Sequence, residues 1–374
     1  MRARIVIIGT GTTGLCLALE LARRTNPLTE PVLLISAGGP EPQELELCRH
    51  DLEGEGMALE ARHGLRFWSG LWAATGRDPG WNSCGLAYEP VWEEDPAAWK
   101  RLLELGASVR REQGCVFDED AGTLSTAKAL TCLEALAREA GAVVRTGDVA
   151  EELIIEAGKI TGVKTASGLI ITAEVVLAGA KAATIAPGGP PALDEKLWTE
   201  LGYETNDGGD LVEEARSEEG ELADLFAADA LGGRAAAAAF ESHFEQEEPS
   251  SSEVRAQVSG SSVAAPEQDG RLWVGGLEQG EAEALARRVL GSALLKDQRT
   301  RSTWLAADER PVIGPLPAVE GAWIACAFGE KTSLYAPACA EALAERILKG
   351  ETGWFRGGDC DPQRASLSWS NRAR

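Results

Sequence analysis

Apolar positions along this chain fall into short unbroken runs that alternate with helical stripes. Ile5-Val6-Ile7-Ile8 and Val32-Leu33-Leu34-Ile35 are continuous apolar runs of strand length, the pattern of strands covered on both faces. Between them Leu15, Ala18, Leu19 and Ala22 recur at three- and four-residue spacing, which predicts a helix with one apolar stripe. Thr25-Asn26-Pro27 breaks that helix before the second run. Strand, helix, strand in this order predicts a βαβ unit with parallel strands.

The alternation returns further along. Ser125-Thr126 caps a helix whose Leu130, Leu133, Leu136 and Ala137 share one face, and Gly141 ends it before the strand Ala142-Val143-Val144. Leu153-Ile154-Ile155, Ile160-Thr161-Gly162-Val163 and Leu169-Ile170-Ile171 are separated by the turns Ala157-Gly158 and Ser167-Gly168, which predicts a β-meander. Glu174-Val175-Val176-Leu177-Ala178-Gly179 closes the unit as a buried strand that ends in small residues. Arg271-Leu272-Trp273-Val274-Gly275-Gly276 predicts another strand, and the block from Trp304 to Gly350 ends in a helix from about Ser333 to Leu348.

The intervening segments differ. Trp68 and Trp72 lie four apart with Leu65 and Leu71 near the same face, which predicts a core stripe, and Cys84-Gly85-Leu86-Ala87-Tyr88 predicts a short strand. Pro96-Ala97-Ala98-Trp99 opens a further helix through Leu102, Leu103 and Leu105. From Asn206 to Pro266 the chain is rich first in acids, then in alanine, then in serine around Pro249, a composition expected to be partly mobile. Beyond Gly353 it is polar and expected to be loosely held.

The turn after the first run carries the chemistry. Gly9-Thr10-Gly11-Thr12-Thr13-Gly14 has the G-x-G-x-x-G spacing in its strand-to-helix context. Gly9 permits the tight turn, Gly11 permits backbone to approach a pyrophosphate, and Gly14 permits close packing of helix on strand. The helix then offers its first N–H groups and positive dipole end to phosphate. The acidic residue usual at the end of the second strand is replaced by Ser36, which retains one hydroxyl for a ribose.

Length and composition narrow the partners. A chain of 374 residues that is 44% hydrophobic has room for two domains with their own cores. A net charge of −23 argues against nucleic acid or an anionic membrane surface, both of which need a basic face. No apolar stretch is long enough to span a bilayer and the chain opens on a strand rather than a signal peptide, so a cytoplasmic protein is expected. None of the eight cysteines forms a C-x-x-C pair, and they are expected to be small buried hydrophobes. His50, His63 and His243 have no metal-ligand spacing and are expected to be surface or satisfied residues, with no metal site.

Asp308-Glu309-Arg310-Pro311-Val312-Ile313-Gly314-Pro315-Leu316-Pro317, Ala322-Trp323-Ile324-Ala325-Cys326-Ala327-Phe328-Gly329 and the helix that follows resemble the C-terminal signature of the FAD-dependent D-amino-acid oxidase family. The glycine turn, the Thr126 helix with its meander, the strand ending at Gly179 and the strand through Trp273 match the family in the same order. The resemblance implies an α/β fold: a Rossmann-like FAD-binding domain, with a doubly wound parallel sheet plus β-meander, and a second antiparallel-sheet α+β substrate domain. The first is expected to comprise residues 1–60, 125–185 and 305–350, the second 61–124 and 186–304, with 351–374 as the tail.

The function implied is oxidation of a C–N bond of a small amine or amino acid by hydride transfer to flavin N5. Gly9, Gly11, Thr12, Thr13, Gly14 and Ser36 are expected to hold FAD, with Val149 meeting the adenine through its backbone and Gly179 a close-approach site. The loop Phe328, Gly329, Glu330, Lys331, Thr332, Ser333 and Leu334 is expected to present N–H groups to the flavin, because a helix end there stabilises negative charge on the ring. Lys331 and Arg310 are the catalytic candidates.

The departures bear on the substrate. The family's carboxylate-binding arginine precedes the Asp308 turn, but the stretch here is Trp304-Leu305-Ala306-Ala307, leaving Arg301 and Arg310 as the nearest guanidinium groups. The tyrosine of glycine oxidase falls near Val263, the glycine of the flavin loop falls near Thr332, and Glu55-Gly56-Met57 is what remains of a second flavin loop. Two alternatives stay open: an FAD-dependent dehydrogenase of a non-amino-acid substrate with a quinone or carrier as electron acceptor, and a non-catalytic flavoprotein subunit of a larger complex.

Overall fold

The computed structural model describes residues 1–38, 46–50, 57–88, 100, 103–104, 106–112, 115–187, 191–204, 256–259, 262–266, 271–276, 294–317, 319–350, 360–364 and 366–367. Most of the segment expected to be mobile, most of the helix expected from Pro96, and Glu55-Gly56 lie outside these residues.

The central sheet has six strands: β1 (Ile5–Ile8), β2 (Val32–Ser36), β3 (Val143–Thr146), β4 (Glu174–Ala178), β5 (Val312–Pro315) and β6 (Ala322–Cys326), in the order β5-β6-β4-β1-β2-β3. All neighbours run parallel except the edge pair β5 and β6. Four helices matter to its architecture: α1 (Thr12–Arg24), α2 (Ala58–Thr75), α3 (Thr126–Glu139) and α4 (Thr332–Lys349).

Strand alternation sorts the apolar runs into two cores. Ile5, Ile7, Val32 and Leu34 face a core shared with the four helices, while Val6, Ile8, Leu33 and Ile35 face one shared with the meander. The meander is the three-stranded sheet of Ala150–Glu156, Lys159–Thr165 and Gly168–Ile171. Each of these strand side chains contributes about 1.5–3 kcal/mol by full burial, which is why runs with no polar alternation form strands here.

A second sheet of eight strands is antiparallel except where Leu86–Tyr88 meets Ala256–Ser259. Its outer strand, Leu294–Ala306, pairs with Leu193–Glu204 and runs directly into the turn before β5. The expected fold class is therefore present: a parallel sheet with helices and a meander, plus an antiparallel sheet.

Three local expectations change. Trp68 is fully buried but Trp72 is 64% exposed, because four residues advance a helix by slightly more than one turn and α2 buries only a narrow stripe. Ser125 stands at the start of α3 but makes no side-chain capping bond. Part of the expected loose tail is pinned: Cys360 and Leu367 are buried, and the Arg364 guanidinium holds the Asp308 carboxylate through Nε (2.6 Å) and Nη2 (2.8 Å). That fork keeps the Asp308 carboxyl well below the usual carboxylate range.

Candidate dinucleotide site at the carboxyl edge of the central sheet

Five adjacent parallel strands, β3, β2, β1, β4 and β6, end on one edge of the sheet. The sequence candidates follow those ends in spatial order: Val149 beyond β3, Ser36 at the end of β2, Gly9 to Gly14 after β1, Gly179 after β4, and Phe328 to Leu334 after β6. At ~4.8 Å per strand this edge spans about 19 Å, and the carboxyl edge is where open α/β sheets take ligands.

The turn after β1 is built by contacts only glycine allows. Gly9 has φ +122, donates its N–H to Ile35 O (2.9 Å), and a Cβ there would overlap the Ala178 carbonyl of β4. A Cβ at Gly14 would overlap the Gly9 carbonyl. Gly11, the residue before α1, would carry a Cβ into open space with nothing within 4 Å. Thr12 and Thr13 are buried in the first turn of α1, which contains no acidic residue and no side-chain cap. Among the described residues, the amino end of α1 is thus left open.

The flanking candidates are partly engaged. Ser36 accepts the Thr10 hydroxyl (2.9 Å) and donates to the Gly38 carbonyl, tying the end of β2 to the glycine turn. The Val149 side chain is exposed and its carbonyl accepts the N–H of Ala166 (3.0 Å). Gly179 has φ +97, donates to Ala325 O (2.8 Å), and leads the short helical turn Ala180–Ala183.

The loop after β6 is unusually constrained. Ala327 and Gly329 both have positive φ, +63 and +60, on either side of buried Phe328, and Ala327 pays for that conformation with a Cβ. A short 3₁₀ turn, Gly329–Lys331, follows; the Thr332 hydroxyl donates back to Gly329 O (2.9 Å) and α4 begins.

The amino end of α4 is closed, unlike that of α1. Glu46, 3% exposed on the strand Glu46–Cys48, accepts the Ser333 N–H (2.6 Å) at one carboxylate oxygen and the Ser333 hydroxyl at the other. The Trp68 indole N–H donates to Ser333 O (2.8 Å), and Gly64 of α2 sits so close to the Leu334 carbonyl that a Cβ would overlap it. Neither Glu46 nor Trp68 was a sequence candidate: each meets Ser333 across more than 200 residues of chain, and no spacing rule signals such a pair.

The substrate-side candidates lie on three elements and a turn. Arg310 is exposed on the turn before β5, where its carbonyl accepts from Arg364 (3.0 Å), while Lys331 sits on the 3₁₀ turn beside α4. Arg301 and Val263 lie on strands of the second sheet. Thr303, three residues before Ala306 on the long outer strand, is 5% exposed; its Oγ1 has no hydrogen-bond partner among the described residues and lies 3.8 Å from the position of a Cβ on Gly329. This orphaned hydroxyl facing the loop after β6 was also missed from sequence.

The histidine and cysteine expectations also meet specific surroundings. His50 is buried and its Nδ1 lies 2.9 Å from Asp118 Oδ2, with Asp120 nearby, so three potential metal-ligand residues stand together despite the absence of a sequence spacing for them. Cys16, Cys48, Cys132, Cys326, Cys339 and Cys360 are buried and Cys84 is half-buried. Burial pushes the Cys326 thiol up to about 12, which suits a small hydrophobe rather than a nucleophile.

The sequence profile described as FAD dependent oxidoreductase (DAO) matches residues 4–199, more than half of the chain. No curated protein matches by sequence. Among solved structures, L-amino acid deaminase from Proteus vulgaris is similar with a TM-score of 0.75 at 16% identity, covering 97% of both chains. L-proline dehydrogenase from P. horikoshii gives 0.71 at 18% identity, over 96% of this chain and 97% of that one. Glycine oxidase from Geobacillus kaustophilus gives 0.71 at 15% identity, over 97% and 99%. Likeness at these identities is likeness of fold. No helix among the described residues is long and apolar enough to cross a membrane.

Proposed function

Because the chain belongs to the FAD dependent oxidoreductase (DAO) family and is an FAD-dependent oxidoreductase, we propose that it oxidises a C–N bond of a small amine or amino acid. The observation that carries the cofactor's placement is the line of sites along one sheet edge, from Ser36 through the open amino end of α1 to the loop after β6. Bound FAD would supply the acceptor for a hydride from the substrate carbon, with the nitrogen's proton released, the resulting imine open to hydrolysis by water, and oxygen or a carrier as the final electron acceptor.

The residues fit such a group on three counts. Gly11 leaves room at the α1 end for a pyrophosphate to meet the N–H groups of Thr12, Thr13 and Gly14. Ser36, already oriented by Thr10 and Gly38, places an oxygen at the end of β2 for a ribose hydroxyl. Thr303 holds a buried hydroxyl with no partner among the described residues against the Gly329 loop, and such a group costs about 1–3 kcal/mol unless something bonds it.

In this reading Phe328 to Leu334 form the wall beside the ring, Gly179 allows close approach from β4, and Val149 meets the adenine by its backbone. Lys331 and Arg310 are the candidate cations for the substrate. Leu305 and Ala306 are buried where the family resemblance calls for a carboxylate-binding arginine, and Leu305 packs on the position of a Gly329 Cβ. That apolar surface favours a second reading, an FAD-dependent dehydrogenase of a substrate without a carboxylate, using a carrier or partner subunit as acceptor.

The test is an absorption spectrum of the purified protein before and after denaturation, followed by anaerobic addition of glycine, sarcosine, proline, D-amino acids and uncharged secondary amines. Release of free FAD and bleaching by an amino acid supports the first reading. Bleaching only by donors that lack a carboxylate supports the second, and a flavin that no donor bleaches overturns both.

A further inference from the structure

Resting on the FAD reading above, we propose that Glu46 is a positioning residue for the ring end of the cofactor: its buried carboxylate neutralises the positive end of α4 and thereby lowers the flavin's reduction potential. A helix end carries roughly half a positive charge, borne on its first N–H groups. Here a whole carboxylate sits on the second residue of α4, binding both the N–H and the hydroxyl of Ser333. This carboxylate offsets the positive charge of the helix dipole at its source, where an uncapped α4 would present it in full.

The arrangement is built to hold. Glu46 comes from a strand that is paired with Gly122–Leu124, so its backbone is fixed independently of α4. The Trp68 indole bonds the carbonyl of the same Ser333, and Gly64 lets α2 press against Leu334. Glu46 and α2 thus clamp the first turn of α4 from two directions. In a site screened from water a fixed charge acts over several ångströms, and two-electron reduction places negative charge on the ring. A carboxylate held there opposes reduction and favours release of the electrons to an acceptor.

The experiment is the midpoint potential of the bound flavin in the holoprotein, measured by equilibration with reference dyes, in wild type, Glu46→Gln, Ser333→Ala and Glu60→Gln. Gln at position 46 keeps an acceptor for the Ser333 N–H and removes the charge. The expected result for E46Q is a rise equal to at least a tenfold shift in the two-electron equilibrium, about 30 mV, with FAD affinity within threefold of wild type. S333A keeps the carboxylate and loses one hydrogen bond, so its potential is expected to stay low. Glu60 is another buried carboxylate, on α2 rather than on the first turn of α4; E60Q is expected to leave the potential unchanged.

An unchanged potential in E46Q overturns the proposal, as does an equal rise in S333A or in E60Q, since capping geometry or overall charge then suffices. If E46Q fails to fold, S333A decides: a rise overturns the proposal and a low potential supports it. A wild-type protein that takes up no FAD fails the FAD reading itself, a result separate from any of these.

Discussion

Two helix ends meet the same sheet edge, and they are finished in opposite ways. The amino end of α1 has glycine before it, no acid in its first turn and, among the described residues, open space where a Cβ would stand. The amino end of α4 has a buried carboxylate on its second residue, an indole on the carbonyl of that residue and another helix against the next. An uncapped helix end on a ligand-binding edge keeps its N–H groups for an incoming anion. A helix end filled from within the protein positions other groups, and its charge is set by the chain.

Substitutions that break this contrast by steric force have the largest expected effects. Gly14→Ala drives a Cβ into the Gly9 carbonyl and the Ala178 side chain; the expected cost is about 3 kcal/mol, read by denaturant unfolding, together with loss of FAD. Gly64→Ala strikes the Leu334 carbonyl at the closed end and is expected to cost about 2 kcal/mol while FAD retention falls less than in G14A.

A pairing outside both helix ends supplies a reference. Arg364→Ala removes the guanidinium that holds Asp308 ionised and is expected to cost about 2 kcal/mol near neutral pH. Asp308 has a depressed carboxyl pKa in the folded protein, so this stabilisation is present above the unfolded value of about 4 and is lost as pH falls below it. The gap between wild type and R364A in unfolding free energy is expected to narrow in acid. Trp68→Phe keeps the ring in the core but removes the bond to Ser333 O, at an expected cost of about 1 kcal/mol.

How much of this was legible in the sequence follows the reach of each contact. The turn Gly9 to Gly14, the meander and the strand ending at Gly179 are local, so spacing and apolar periodicity expose them. The parallel order that brings Ser36, Gly9, Gly179 and Phe328 to one edge follows from βαβ connection rules and from the family resemblance. Glu46, Trp68 and Thr303 were not legible, because their roles come from contacts with Ser333 and Gly329 that no local pattern encodes. His50 shows the same limit: its partner Asp118 lies 68 residues away, and spacing left it a surface or satisfied histidine. The Trp68 and Trp72 stripe misled in the other direction, since four-residue spacing does not say how wide a face is buried.

The smallest expected effect on stability is also the sharpest test. Gly11 has an extended backbone that any residue adopts, φ −70 and ψ 179, and a Cβ there touches nothing among the described residues, so Gly11→Ala is expected to change unfolding free energy by under about 0.5 kcal/mol. The decisive measurement is FAD binding by the apoprotein, followed by flavin fluorescence, in wild type and G11A with their unfolding midpoints matched. A cofactor pyrophosphate at the open end of α1 gives at least a tenfold loss of FAD affinity in G11A at unchanged stability. Equal FAD affinity in the two proteins would contradict that placement.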